Sequence, residues 1–210
     1  MLVFGHRGSP RRFPENTVSS FEEALRAGAD GFETDLRLLA DGVAVLFHDD
    51  ELADQPVETL RSENVPAERV RDLARFAGRA TMILEVKRGG WDEALLAEIG
   101  AWKGIVVASF DHSLIAKLAQ RRVQFPLGLT VAGVIVDLAQ YARRLGATWC
   151  FPDYHYVDAD LVASLHREKI QVIPWTPNRP RDWKRLAEIG CDGFITDDPA
   201  EAVAWRRGSG

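Results

Sequence analysis

Two histidines, an arginine and two carboxylates fall within the first fifty residues, each at the end of an apolar run. His6 and Arg7 stand in Val3-Phe4-Gly5-His6-Arg7-Gly8, Glu33 and Asp35 in Glu33-Thr34-Asp35, and His48 in Phe47-His48-Asp49. Packing alone does not call for such a density of polar groups. Histidine titrates near neutrality without help, so His6 and His48 are the candidate acid and base for a displacement that moves a proton at each end. Glu33 and Asp35, with Glu85 further along, offer hard oxygen donors suited to one divalent cation, Mg²⁺ or Ca²⁺. Ion pairing of the same carboxylates with Arg37 and Lys87 is the alternative. The planar fork of Arg7 suits bidentate contact with a phosphate, and Lys87 adds a point charge, so the substrate expected is an anion. Trp175 offers a flat face, either to a small aliphatic group or to the core. His112 and His166 read as surface positions, and His155, after the sixth strand, is undecided.

These residues need elements to hold them. Val18, Phe21, Ala24 and Leu25 recur at helical spacing, with Asn16 and Thr17 as N-cap candidates and Gly28 as a stop. The stretch from Gly31 to Arg37 alternates as a strand, which puts Glu33, Asp35 and Arg37 on one face. Asp41-Gly42 predicts a hairpin turn, and Val43 to Phe47 returns as a strand ending on His48. Residues 50–68 are polar, contain Pro56 and Pro66, and read as a loop or short excursion. A helix is predicted through Leu73 and Phe76, then a strand from Thr81 to Lys87. Further strands are predicted at 105–110, 125–131, 148–152, 170–175 and 192–196, starting about every 22 residues with helical patterns between them. Eight parallel strands with intervening helices make an α/β protein of the (β/α)₈ TIM-barrel class, with 43–47 as a small extra hairpin strand at the rim. An open doubly wound sheet is disfavoured because no GxGxxG loop follows the first strand. The polar residues singled out above lie near the C-terminal ends of predicted strands, where such barrels collect their catalytic groups.

Composition narrows the function classes. The chain has 210 residues, 46% hydrophobic and 27% charged, with a net charge of −5. That charge gives no case for a nucleic-acid partner, which needs a surplus of Lys and Arg. No segment reads as a signal peptide or a transmembrane span. Cys150 and Cys191 form no metal or disulfide motif and read as free thiols of a cytoplasmic protein. A single catalytic domain over 1–207 and a disordered tail over 208–210 are expected.

Taken together and in order, several segments resemble the glycerophosphodiester phosphodiesterase family. They are Gly5-His6-Arg7-Gly8, Pro14-Glu15-Asn16-Thr17, Glu33-x-Asp35, His48-Asp49, Glu85-x-Lys87, Ser109-Phe110, Trp175-Thr176-x-Asn178 and Asp192-Gly193-x-Ile195-Thr196-Asp197. The resemblance implies a barrel that hydrolyses small glycerophosphodiesters to sn-glycerol 3-phosphate and an alcohol with a divalent cation. It implies His6 and His48 as acid and base, and Glu33, Asp35 and Glu85 as metal ligands. Arg7 and Lys87 would meet the phosphate, and Trp175 would pack on the glycerol. The insertion after the second strand, 50–68, is shorter than is usual in that family, so a more open pocket is expected. That opening leaves room for a lysophospholipase D-like relative as the second enzyme reading. A non-catalytic phosphate-binding barrel is the reading from another class.

Overall fold

The computed structural model describes residues 1–208. The described residues form eleven strands and seven α-helices, which alternate except between β2 and β6. The strands are β1 (Leu2–Gly5), β2 (Gly31–Leu38), β3 (Ala44–Leu46), β4 (Glu51–Leu52), β5 (Gln55–Pro56), β6 (Thr81–Val86), β7 (Ile105–Ser109), β8 (Leu127–Val131), β9 (Trp149–Pro152), β10 (Gln171–Val172) and β11 (Gly193–Thr196). The helices are α1 (Val18–Arg26), α2 (Asp92–Ile99), α3 (His112–Gln120), α4 (Leu138–Arg144), α5 (Ala159–Arg167), α6 (Pro180–Glu188) and α7 (Pro199–Gly208).

Eight of the strands pair in parallel in the order β10-β9-β8-β7-β6-β2-β1-β11. The ring closes through Trp175, which bridges Asp153 on one side and Ile195 on the other. The expected barrel is present, and β3 pairs antiparallel with the end of β2, as the hairpin signal predicted. The period-two alternation explains the two-layered core. Phe32, Leu36, Met82, Leu84, Val107 and Leu129 point outward onto the helices. Phe4, Ile83, Val106, Ala108, Phe151, Ile173 and Ile195 fill the barrel interior.

Three expectations need correction. Residues 70–76 form a 3₁₀ rather than an α-helix. Their buried residues, Val70, Leu73 and Phe76, recur every three positions, which matches 3.0 residues per turn better than 3.6. The connection from β2 to β6 therefore carries no α-helix. The strand expected over 170–175 is regular only at Gln171–Val172, because Pro174 has no N–H to give to the ladder. Residues 50–68 form the short excursion of the two alternatives: β4 pairs with β5, and Val57 and Val65 pack with Leu39 and Val45 in a small separate cluster. Finally, Gly208 belongs to α7, and the rest of the expected tail lies outside the described residues.

Candidate active site

The turn after β1 is built by two glycines. A Cβ on Gly5 would stand 2.0 Å from the Gly8 carbonyl oxygen, and one on Gly8 would stand 2.4 Å from Ser20 Oγ. Only glycine allows this tight approach, and Gly8 also has φ of +90°. The turn sends His6 and Arg7 over the barrel mouth. In β2, Glu33 and Asp35 face inward, and parallel pairing sets Asp35 directly beside Glu85 of β6. Lys87 follows one residue beyond β6.

All eight residues expected in the site line one cavity of about 270 Å³ at the C-terminal end of the barrel: His6, Arg7, Glu33, Asp35, His48, Glu85, Lys87 and Trp175. None of residues 50–68 lines it. One wall is charged, from β1, β2 and β6. The opposite wall, from β7 to β11, carries Ala108, Phe110, Thr130, Phe151, Trp175 and Ile195.

His6 is held by a chain of hydrogen bonds. Its Nδ1 meets Asp197 Oδ1 at 2.7 Å, and Asn178 Nδ2 donates to Asp197 Oδ2 at 2.6 Å. Asn178 Oδ1 in turn accepts from Thr196 Oγ1 and from the Asp197 backbone N–H, both at 2.9 Å. That backbone donor identifies the Asn178 atom facing it as oxygen, which fixes the amide orientation. Nδ1 thus carries its proton toward a carboxylate, and Nε2 is turned to the cavity, 4.0 Å from Glu33 Oε2. Burial alone would lower the His6 pKa; the bond to Asp197 and the charge of Glu33 outweigh it and raise the pKa. Burial likewise opposes ionisation of Asp197, but His6 wins and its pKa is lowered.

His48 reaches the cavity from the segment after β3, with Nδ1 2.8 Å from Asp49 Oδ1. Its backbone is secured from below by Arg37, whose side chain is only 2% exposed. Arg37 Nη2 donates to the His48 carbonyl at 2.8 Å and to Asp50 Oδ1 at 2.5 Å, and Nη1 pairs with Glu58. Arg37 therefore serves the histidine segment and does not pair with Glu33 or Asp35.

The ion-pairing alternative holds for part of the carboxylate set. Lys87 Nζ lies 2.7 Å from Asp35 Oδ1 and also pairs with Glu85. Arg7 Nε is 3.2 Å from Asp35 Oδ2, and Arg7 Nη1 contacts both Glu15 oxygens at 3.0 Å. Burial would raise the Asp35 pKa, but Lys87 and Arg7 lower it. Glu33 differs: burial and the neighbouring Asp35 push its pKa up to about 8. Three carboxylates thus share one wall with two permanent cations, and Glu33 is the one left short of positive charge. That donor chemistry fits a hard divalent cation, for which Glu33, Asp35 and Glu85 would supply the oxygens. Among the described residues no three such side chains already converge tightly enough to enclose an ion. Lys87 now occupies oxygens of two of them.

Several supporting residues were not singled out from sequence. Asp197 and Asn178 stood in the family-like segments without a role there. Asn16, an N-cap candidate, is not the cap: Thr17 caps α1, and Asn16 Nδ2 donates to Asp35 Oδ2 at 2.8 Å while Oδ1 accepts from Thr34. His112 is half-buried rather than a surface residue, bonding the Thr130 carbonyl at 3.0 Å and Tyr141 Oη at 3.1 Å. His155 pairs with Asp153 and His166 with Asp192, both outside the cavity.

The sequence profile of the glycerophosphoryl diester phosphodiesterase family matches residues 6–88 and 88–201. A glycerophosphodiester phosphodiesterase of Caldanaerobacter subterraneus subsp. tengcongensis is 28% identical over 233 residues, covering 96% of this chain and 96% of that protein. The crystal structure of a glycerophosphodiester phosphodiesterase from Thermotoga maritima superposes with a TM-score of 0.85 at 22% identity, covering 97% of each chain. An Oleispira antarctica phosphodiesterase in complex with the product sn-glycerol-3-phosphate superposes with a TM-score of 0.89 at 19% identity, covering 99% of this chain and 97% of that one.

Proposed function

The chain belongs to the glycerophosphoryl diester phosphodiesterase family, and from that premise we propose that it cleaves small glycerophosphodiesters to sn-glycerol 3-phosphate and an alcohol, with His6 and His48 as the proton-transfer pair. The observation that carries this reading is the shared cavity: two histidines, two cations and three carboxylates around one space open at the strand ends. Residues 1–207 would act as one catalytic unit in the cytoplasm, a location supported by two free, buried thiols. No helix among the described residues is long and apolar enough to cross a membrane.

Arg7 and Lys87 receive the phosphate. Arg7 must loosen Glu15 to do so, and that costs little, because Glu15 is half exposed and surface ion pairs contribute about 0–1 kcal/mol. A phosphate held by two cations brings its ester oxygen to the histidines. One histidine accepts the proton of the attacking oxygen and the other gives a proton to the departing alkoxide; attack by water gives glycerol 3-phosphate directly, whereas attack by the glycerol 2-hydroxyl gives a cyclic phosphate that water then opens, with the two histidines exchanging roles. Asp197 keeps Nε2 of His6 free for this exchange. A divalent cation held by Glu33, Asp35 and Glu85 would supply Lewis-acid stabilisation of charge on the phosphoryl oxygens. Trp175 gives the C–H face of glycerol an apolar surface.

The test is incubation with glycerophosphocholine and Mg²⁺ or Ca²⁺. Glycerol 3-phosphate and choline should appear together, and EDTA should stop their release. Formation of phosphocholine and glycerol instead would place the cleavage on the other ester bond and refute the assignment.

A second reading, lysophospholipids as substrates, is favoured by the rim. Val134 and Val136 are 80% and 83% exposed in the segment after β8, beside Ile135. Phe110 after β7 and Tyr156 after β9 are also exposed at the same end. An acyl chain leaving the cavity would meet these side chains. Turnover of lysophosphatidylcholine exceeding that of glycerophosphocholine would establish it, and no turnover of the lipid would exclude it.

A further inference from the structure

The apolar wall of the cavity contains one polar side chain, Thr130 of β8. It is 3% exposed, and its Oγ1 has no hydrogen-bond partner among the described protein atoms. The alternation of β8 explains why it faces inward: Leu129 and Val131 on either side pack outward against the helices. Its backbone is held from outside by His112, which bonds the Thr130 carbonyl at 3.0 Å. Two residues earlier the ring of Phe151 lies over Gly128, where a Cβ would come within 2.3 Å of it. Phe151 therefore fills the layer around Gly128 and leaves the Thr130 position at the cavity wall. Of the other buried, unpartnered side-chain atoms among the described residues, only Arg7 Nε belongs to the cavity lining, and it stands against Asp35.

A hydroxyl with no partner in the protein is left to bond what enters the cavity, whereas valine would fill the same volume and offer nothing. Ligand pockets use this arrangement: a mostly apolar wall with a single polar group that becomes paired when the ligand arrives. We infer that Thr130 is a specificity residue whose hydroxyl bonds the terminal hydroxyl of the glycerol arm. This rests on the glycerophosphodiester reading above. With the phosphate on the charged wall, the 2-hydroxyl stays close to phosphorus and the terminal hydroxyl extends across the cavity. Trp175 takes the carbon face of the same arm, and Thr130 offers the one neutral partner opposite the charged wall. Rotation about χ1 exchanges its methyl and hydroxyl without moving the backbone.

The experiment compares two diesters, glycerophosphocholine and the analogue built on propane-1,2-diol, which keeps the 2-hydroxyl and lacks the terminal one. The native protein should favour the glycerol diester about tenfold in kcat/KM, the effect of one hydrogen bond of ordinary strength. Thr130→Val should lose about tenfold on the glycerol diester, chiefly through KM, and change less than twofold on the analogue. Thr130→Ser should keep the native preference. Equal losses by Thr130→Val on both substrates, or no loss on either, would overturn the inference. So would a native protein that does not distinguish the two diesters, a result that needs no variant to fold. A native protein that cleaves neither would overturn the function reading itself, and Thr130 would fall with it.

Discussion

Replacing Asp197 by asparagine should damage the enzyme more than removing its side chain altogether. The reason lies in the orientation of Asn178. Its oxygen faces the Asp197 backbone N–H, so its Nδ2 must donate to whatever stands at Oδ2, 2.6 Å away. In Asp197→Asn the new amide would turn its oxygen to that donor and its NH₂ to His6 Nδ1. His6 would then accept at Nδ1 and carry its proton at Nε2, the atom that faces the cavity. A positioned acid or base contributes about 10²–10⁴-fold, and this tautomer serves as neither, because Nε2 cannot accept a proton and giving one up would leave an imidazolate, so kcat should fall about 10³-fold with KM within about twofold of native. Asp197→Ala leaves both tautomers accessible and should cost about 10- to 100-fold. The assay is initial-rate release of glycerol 3-phosphate, with thermal melts showing both variants folded. An asparagine variant as active as the alanine variant, or either within threefold of native, would refute the argument that Asp197 acts through the tautomer of His6.

Other perturbations read other parts of the molecule. Arg37→Met should keep the packing yet release the His48 segment from its carbonyl bond, lowering kcat about tenfold or more; an unchanged kcat would show that the segment holds itself. Asp158 caps α5 by accepting from the Leu161 N–H at 2.8 Å. Asp158→Ala should cost about 1 kcal/mol, seen as a melting point lower by about 2–4 °C, with activity intact. Burial pushes the thiols of Cys150 and Cys191 up to about 12. In the folded protein both stay protonated at pH 8, where an unfolded thiol with a pKa of about 8.5 is already partly ionised, so a disulfide reagent should label neither until denaturant is added. The same difference means that stability from these sites is full below the unfolded pKa and declines as pH rises toward the folded value. Rapid labelling of the native protein would contradict that burial.

Much of the architecture was legible because parallel barrel strands read as short apolar runs at regular intervals, and charged residues at their ends stand out. Glu33 and Asp35 could be put on one face by counting in twos, and their closeness to Glu85 follows from the pairing of β2 with β6. Supporting contacts were less visible. Asp197 lies at the far end of the chain from His6, and only closure of the barrel brings β11 beside β1. Asn16 and Thr17 are equally good caps by residue type; what separates them is the buried carboxylate of Asp35, a tertiary partner that claims Asn16. Residues 70–76 are ambiguous in sequence because a helical pattern this short looks the same at 3.0 and 3.6 residues per turn until its buried side is known. Thr130 gave no sequence signal, since an inward threonine in a strand is ordinary and only its missing hydrogen bond sets it apart.

The central claim is that the His6 wall of this cavity hydrolyses a glycerophosphodiester. It is tested most directly by following glycerophosphocholine by phosphorus NMR with the native protein and with His6→Ala, each supplied with a divalent cation. The diester signal should be replaced by that of glycerol 3-phosphate with the native protein, and at least about 10²-fold more slowly with the variant. Equal rates for the two proteins, or a diester signal that the native protein leaves unchanged, would contradict the account.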